Sequence, residues 1–144
     1  VFSEKNIILS NKSEGLIYEE DQELDKNLME CGQLKLLTME ILFLTLFLKD
    51  TENPKLLYIG AGSGGAHIPI LSHMFPLLEF YLYDDQPFVK PDEEYKELFS
   101  DSEKVNIYSR RFEDEDIIIW KNIMISDQNV FLLSDIRSTN DDRR

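Results

Sequence analysis

The chain has 144 residues, enough for one domain with a real core and too few for two. Its 42% hydrophobic and 30% charged residues describe an ordinary globular composition. The 28 acids outnumber 15 Lys and Arg, for a net charge of −13, which argues against a stand-alone binder of nucleic-acid phosphates.

Cys31 is the single cysteine, so an internal disulfide and cysteine-rich zinc sites are excluded. The start, Val1-Phe2-Ser3-Glu4-Lys5, has no basic region followed by an apolar stretch. It also lacks an initiator Met, and the chain is expected to be an excised piece. The most apolar window, 41–48, is too short to span a bilayer.

Residues 1–32 are polar and without a strong period, and read as an amino-terminal arm with one short strand at 6–9. From 33 to 49 the pattern changes. Leu34, Leu37, Ile41, Leu44 and Leu48 recur at helical spacing, with Leu36, Phe43 and Phe47 beside them. This predicts a helix buried on most of its circumference, with Lys35 in its first turn. Asp50-Thr51-Glu52-Asn53-Pro54 ends it.

Strand-like runs follow at 55–61, 78–84, 105–110 and 130–135, separated by helical candidates at 66–74, 93–99 and 114–122. Strands alternating with helices predict an α/β fold: a Rossmann-like parallel sheet in order 3-2-1-4, with helices on both faces. The domain is expected to span 33–144 and to be truncated after its fourth strand, leaving that strand as an open edge.

Tyr58-Ile59-Gly60-Ala61-Gly62-Ser63-Gly64-Gly65 lies between the first strand and a helix. More glycines cluster here than a tight turn needs, which suits a backbone approached closely by a ligand at a helix start. The spacing fits both dinucleotides and S-adenosylmethionine. Asp84 closes the second strand, at the distance expected of an acid that holds a ribose hydroxyl pair; a solvated strand-end carboxylate is the alternative. Strand register favours it over Asp85.

Two features favour S-adenosylmethionine over a nicotinamide cofactor. A long segment with an apolar helix precedes the glycine strand, and Asp135 ends the fourth strand at the carboxyl edge, where open α/β sheets bind ligands. Asp135 could equally cap a turn. Phe112 suits either an adenine ring or the core, and Arg137 either a phosphate or a neighbouring acid. His67 and His73 do not share a helical face, so no metal is expected. The acidic stretches 92–94 and 113–116 read as solvated helix starts.

Cys31-Gly32-Gln33-Leu34-Lys35-Leu36-Leu37, with Glu40 behind it, and Leu133-Ser134-Asp135-Ile136-Arg137-Ser138 are the most specific pieces of the chain. Together with the glycine turn through His67-Ile68, Leu82-Tyr83-Asp84 and Arg111-Phe112, they resemble the poxvirus cap-specific mRNA 2'-O-methyltransferase family. Its members also serve as the small, regulatory subunit of viral poly(A) polymerase. The resemblance covers nearly the whole chain.

It implies a viral protein of the host cytoplasm or virion that binds S-adenosyl-L-methionine through Gln33, Tyr58, Gly60, Gly62, Gly64, Asp84 and Gln86, with Glu113 and Asp135 at the pocket's edges. It further implies methyl transfer to the first transcribed ribose of capped mRNA, with Lys35 and Asp135 matching half of a Lys-Asp-Lys-Glu tetrad. The other half would fall beyond Arg144. A non-catalytic subunit that stimulates or tethers a poly(A) polymerase is the alternative. Gln86 stands where the family has an Arg, and Gly65 looks like an insertion. Lys26 falls at the place of the family's cap-stacking Tyr, for which Tyr18 is a substitute; Arg137 is the other candidate RNA contact.

Overall fold

A computed structural model describes residues 22–62 and 67–136, and side chains from residue 32 onward. The order is α1 (Gln22–Phe47), β1 (Lys55–Ile59), α2 (Ile68–Met74), β2 (Glu79–Tyr83), α3 (Asp92–Lys96), β3 (Val105–Tyr108), α4 (Asp114–Ser126) and β4 (Val130–Ser134). A short 3-10 turn, Ser102–Lys104, precedes β3. The four strands form one parallel sheet in the order β3-β2-β1-β4, as the alternating pattern predicts.

Alternation along each strand sends side chains to the two faces. Leu56, Tyr58, Phe80, Leu82 and Val105 meet Leu44 of α1, Ile68 and Leu71 of α2, and Tyr95 of α3 in the larger core. On the other face Leu57 and Tyr83 meet Trp120 of α4. Among the described residues, three helices therefore cover one face and one covers the other. Each fully buried Leu, Ile or Phe contributes about 1.5–3 kcal/mol of burial, so these two clusters hold the layers together.

Two expectations change. The first helix begins at Gln22, so 22–32, read as part of an irregular arm, is helical. Its polar composition hides the period, but Glu23, Leu24, Lys26, Leu28, Met29 and Glu30 are all good helix formers. The helix is also not buried on most of its circumference. Leu34, Met39, Leu42, Leu46 and Phe47 are all at least half exposed, while Leu44 is fully buried. A sheet can cover only one side of a cylinder, and the second apolar stripe is left outside. The predicted strand at 6–9 lies outside the described residues.

The link from α1 to β1 reverses the chain through Asp50 (φ 64°) and Asn53 (φ 47°), residue types that tolerate the left-handed region. Glu40 meets Tyr58 near the end of β1 and Leu48 lies beside Pro54 at its start, so α1 runs antiparallel to β1. Its amino-terminal half climbs toward the carboxyl edge of the sheet, where the glycine turn lies.

Candidate functional site

The carboxyl edge is built from the ends of β1, β2, β3 and β4. Past Ile59 the chain turns at Gly60, whose φ of +83° is one that side chains rarely adopt. A Cβ there would also lie 2.6 Å from the carbonyl oxygen of Asp135. Gly60 and Ala61 donate their N–H groups to the Tyr83 carbonyl at 2.8 and 3.2 Å, and Asp135 N–H donates to Ile59 at 2.9 Å. The sheet's ladder thus continues into the turn and fixes Asp135 beside it.

Asp84 is buried at the end of β2. Its Oδ2 accepts from Gly62 N–H at 2.6 Å and its Oδ1 from Gln86 N–H at 2.7 Å. Each oxygen keeps a further lone pair. Asp85, the other candidate, is exposed and paired with Arg111 Nε at 2.6 Å, which holds its carboxyl below the usual range. Asp84 directly follows Tyr83, the last residue of β2. Gln86 donates from its side chain to Asp85 at 3.1 Å.

Beyond Asp84, a groove of about 510 Å³ opens between the ends of β2 and β3. Asp85, Gln86, Phe88, Lys90, Asp92 and Ser109 are among its lining residues. Phe112, half-buried, packs edge-on against Tyr83 at 5.0 Å and belongs to the smaller core. Glu113 is the exposed amino-terminal cap of α4 and exchanges hydrogen bonds with Asp116 in a capping box.

Not every predicted site residue reaches the edge with its side chain. Tyr58 is only 2% exposed, and its hydroxyl donates to the buried Glu40 carboxylate rather than facing a ligand. Gln33 is half-buried, and its Oε1 is buried with no hydrogen-bond partner. Lys35 is exposed. Two residues on a helix are separated by about 200°, so Gln33 and Lys35 leave α1 on opposite sides. Gln33 shares its face with Leu37, Glu40 and Leu44. Gly64, Tyr18 and Arg137 lie outside the described residues.

The residue that sequence reading undervalued is Glu40. Its signal was present, because an acid stands on the apolar line Leu37, Glu40, Leu44. Asp116, in a stretch whose composition suggests a solvated helix start, is instead buried. Arg110 holds it through two bonds of 2.6 and 2.7 Å, which lowers its pKa to about 2. Among the described residues no group of three or more His, Cys, Asp or Glu is placed to hold a metal ion. No helix among them is long and apolar enough to cross a membrane.

A family model described as poly A polymerase regulatory subunit matches residues 4–144. The chain belongs to the poly A polymerase regulatory subunit family. This is the family that the Gly-Gln-Leu-Lys and Ser-Asp-Ile-Arg-Ser segments resemble, and the match extends over the glycine turn and both acids of the carboxyl edge. Comparison with curated protein sequences gives no match.

Proposed function

We propose that the chain acts as a regulatory subunit of a poly(A) polymerase, on a Rossmann-like scaffold whose carboxyl edge takes an S-adenosyl ligand. The family match across 4–144 carries the first part. Lys35, set on the side of α1 opposite Gln33, favours a subunit role over a catalytic one. The acidic surface suits a protein partner with a basic face. Adding the chain to a poly(A) polymerase catalytic subunit from the same source should lengthen the tails made per binding event. Unchanged tail lengths, together with no association on sizing columns, would sink this reading.

The ligand edge rests on chemistry already present. Gly60 and Gly62 leave no room for a Cβ, the Gln33 amide oxygen is buried without a partner, and Asp84 retains lone pairs for a ribose hydroxyl pair. S-adenosyl-L-methionine, when bound, supplies an electrophilic methyl group. Asp84 would hold the ribose, Gln33 would donate or accept beside it, and the groove past Gln86 would receive the base. Calorimetric titration with S-adenosylhomocysteine tests this directly. A folded chain that takes up none of it has no such pocket.

The second reading is methyl transfer to the ribose 2'-oxygen of capped mRNA. The observation that favours it is the packing of Gly60 on the Asp135 backbone, which keeps Asp135 beside the glycine turn. Lys35 would then serve as a base or cationic field for the attacking hydroxyl, and Asp135 would orient it. Incubating the chain with capped RNA and labelled S-adenosylmethionine checks for transfer. Label on the ribose 2'-oxygen that is lost in Lys35→Ala supports this reading, and label that persists in Lys35→Ala sinks the role given to Lys35.

A further inference from the structure

Glu40 is 3% exposed, deep between α1 and the sheet. Tyr58 donates its hydroxyl to Glu40 Oε1. His67 Nε2 lies 3.2 Å from Oε1, its hydrogen-bond partner, and 2.9 Å from Oε2, which is buried and accepts no hydrogen bond. Both partners are themselves buried, at 2% and 7% exposure. Tyr58 stands two residues before Gly60, and His67 is the last residue before α2. One side chain therefore holds the chain on both sides of the glycine turn and ties both to α1.

From this geometry we infer that Glu40 is a positioning residue, a clamp that sets the glycine turn for its ligand and registers α1 against it. The inference rests on the reading of the carboxyl edge as an S-adenosyl site. Packing alone does not call for an acid here, since burying a carboxylate costs several kcal/mol unless it is well partnered. An apolar side chain would fill the same space between Leu37 and Leu44 without that cost. What the carboxylate adds is direction. Its Oε1 accepts from Tyr58 and meets His67 Nε2, residues that stand before and after the glycine-rich segment, and so sets their separation.

The link also reaches the ligand side. Gln33 lies seven residues before Glu40 on the same face of α1, about 10 Å further toward the carboxyl edge. A shift of α1 against the turn would therefore move the Gln33 amide relative to Asp84. Tyr95 of α3 is the third group around the clamp; burial and the Glu40 charge push its phenol up. The site thus depends on a residue that has no access to the ligand.

The test uses the whole chain with Glu40→Leu, Glu40→Gln and Tyr58→Phe. Gln can still accept from Tyr58 and meet the imidazole, whereas Leu can do neither. Affinity for S-adenosylhomocysteine should fall about tenfold or more in Glu40→Leu and return to within about threefold of wild type in Glu40→Gln. Wild-type affinity in a folded Glu40→Leu overturns the inference. Amide exchange at Gly60, Ala61 and Gly62, relative to that of β2, gives a reading independent of ligand. It should quicken in Tyr58→Phe and in Glu40→Leu, and unchanged exchange in both overturns the clamp. If wild type itself binds no S-adenosylhomocysteine, the site reading fails and the exchange data alone decide the clamp. If Glu40→Leu does not fold, Tyr58→Phe carries both measurements.

Discussion

The backbone N–H of Gly62 donates to Oδ2 of Asp84 at 2.6 Å, joining the turn after β1 to the end of β2. A Cβ on Gly62 would lie 2.9 Å from the Asp84 carboxyl carbon and 2.7 Å from the Gln86 carbonyl oxygen. The acid read from the sequence as a ribose ligand is therefore also the anchor of the turn. Any ligand at this edge must share Asp84 with the chain's own backbone.

That double use makes Asp84 sensitive to replacement in two ways. Asp84→Ala leaves the N–H groups of Gly62 and Gln86 without their acceptor and should cost about 1–3 kcal/mol of stability. Affinity for S-adenosylhomocysteine should drop about tenfold or more, measured by calorimetry on protein shown to be folded. Asp84→Asn keeps an acceptor for one of the two N–H groups and should fall between.

Gly60→Ala combines a left-handed backbone with a Cβ driven into the carbonyl of Asp135. The expected loss is about 2 kcal/mol or more, read from urea unfolding. Gly32, whose Cβ would meet nothing within 4 Å, is the control. Gly32→Ala should be neutral or slightly stabilising, because Ala is the better helix former.

Acid should loosen the contact between the end of β3 and α4. Arg110 holds the Asp116 carboxyl at a pKa of about 2, below its ordinary 3.8. A depressed carboxylate contributes stability above its unfolded pKa and loses it as pH falls through the folded value. The stabilisation is present at neutral pH, starts to fade below about 4 and is gone near 2. Asp116→Asn should remove about 2 kcal/mol at pH 7 and flatten the stability curve in that window. A curve that keeps its wild-type slope there contradicts the assignment.

Trp120 is the main side chain by which α4 closes the second face. It packs edge-on against Tyr81 at 4.8 Å and donates its indole N–H to Tyr83 at 3.2 Å. Trp120→Ala should cost about 3–5 kcal/mol in denaturant unfolding.

Lys35→Ala separates the two functional readings. Its exposure predicts a stability change within about 0.5 kcal/mol. If the chain works only as a polymerase subunit, the substitution leaves tail lengthening intact. Lost methylation of capped RNA would instead return Lys35 to a catalytic place, and would require α1 to present it differently when RNA is bound.

The sequence by itself determined the sheet. Apolar runs of six or seven residues, separated by three helical stretches, admit a parallel order of 3-2-1-4 with right-handed crossovers, and their period survives without any knowledge of packing. It also marked Gly60 and Asp84, because a positive φ and a strand-end acid leave local traces. Only the tertiary structure decided which side of α1 is covered. Leu34 and Phe47 read as core in one dimension, yet a single sheet face cannot reach them. The partners of Glu40 and Asp116 were likewise beyond local reading. Glu40 meets residues 18 and 27 positions away, and Asp116 is buried by a strand end folding back onto its own helix start. Pairing of that kind depends on distance in space, and sequence patterning carries only distance along the chain.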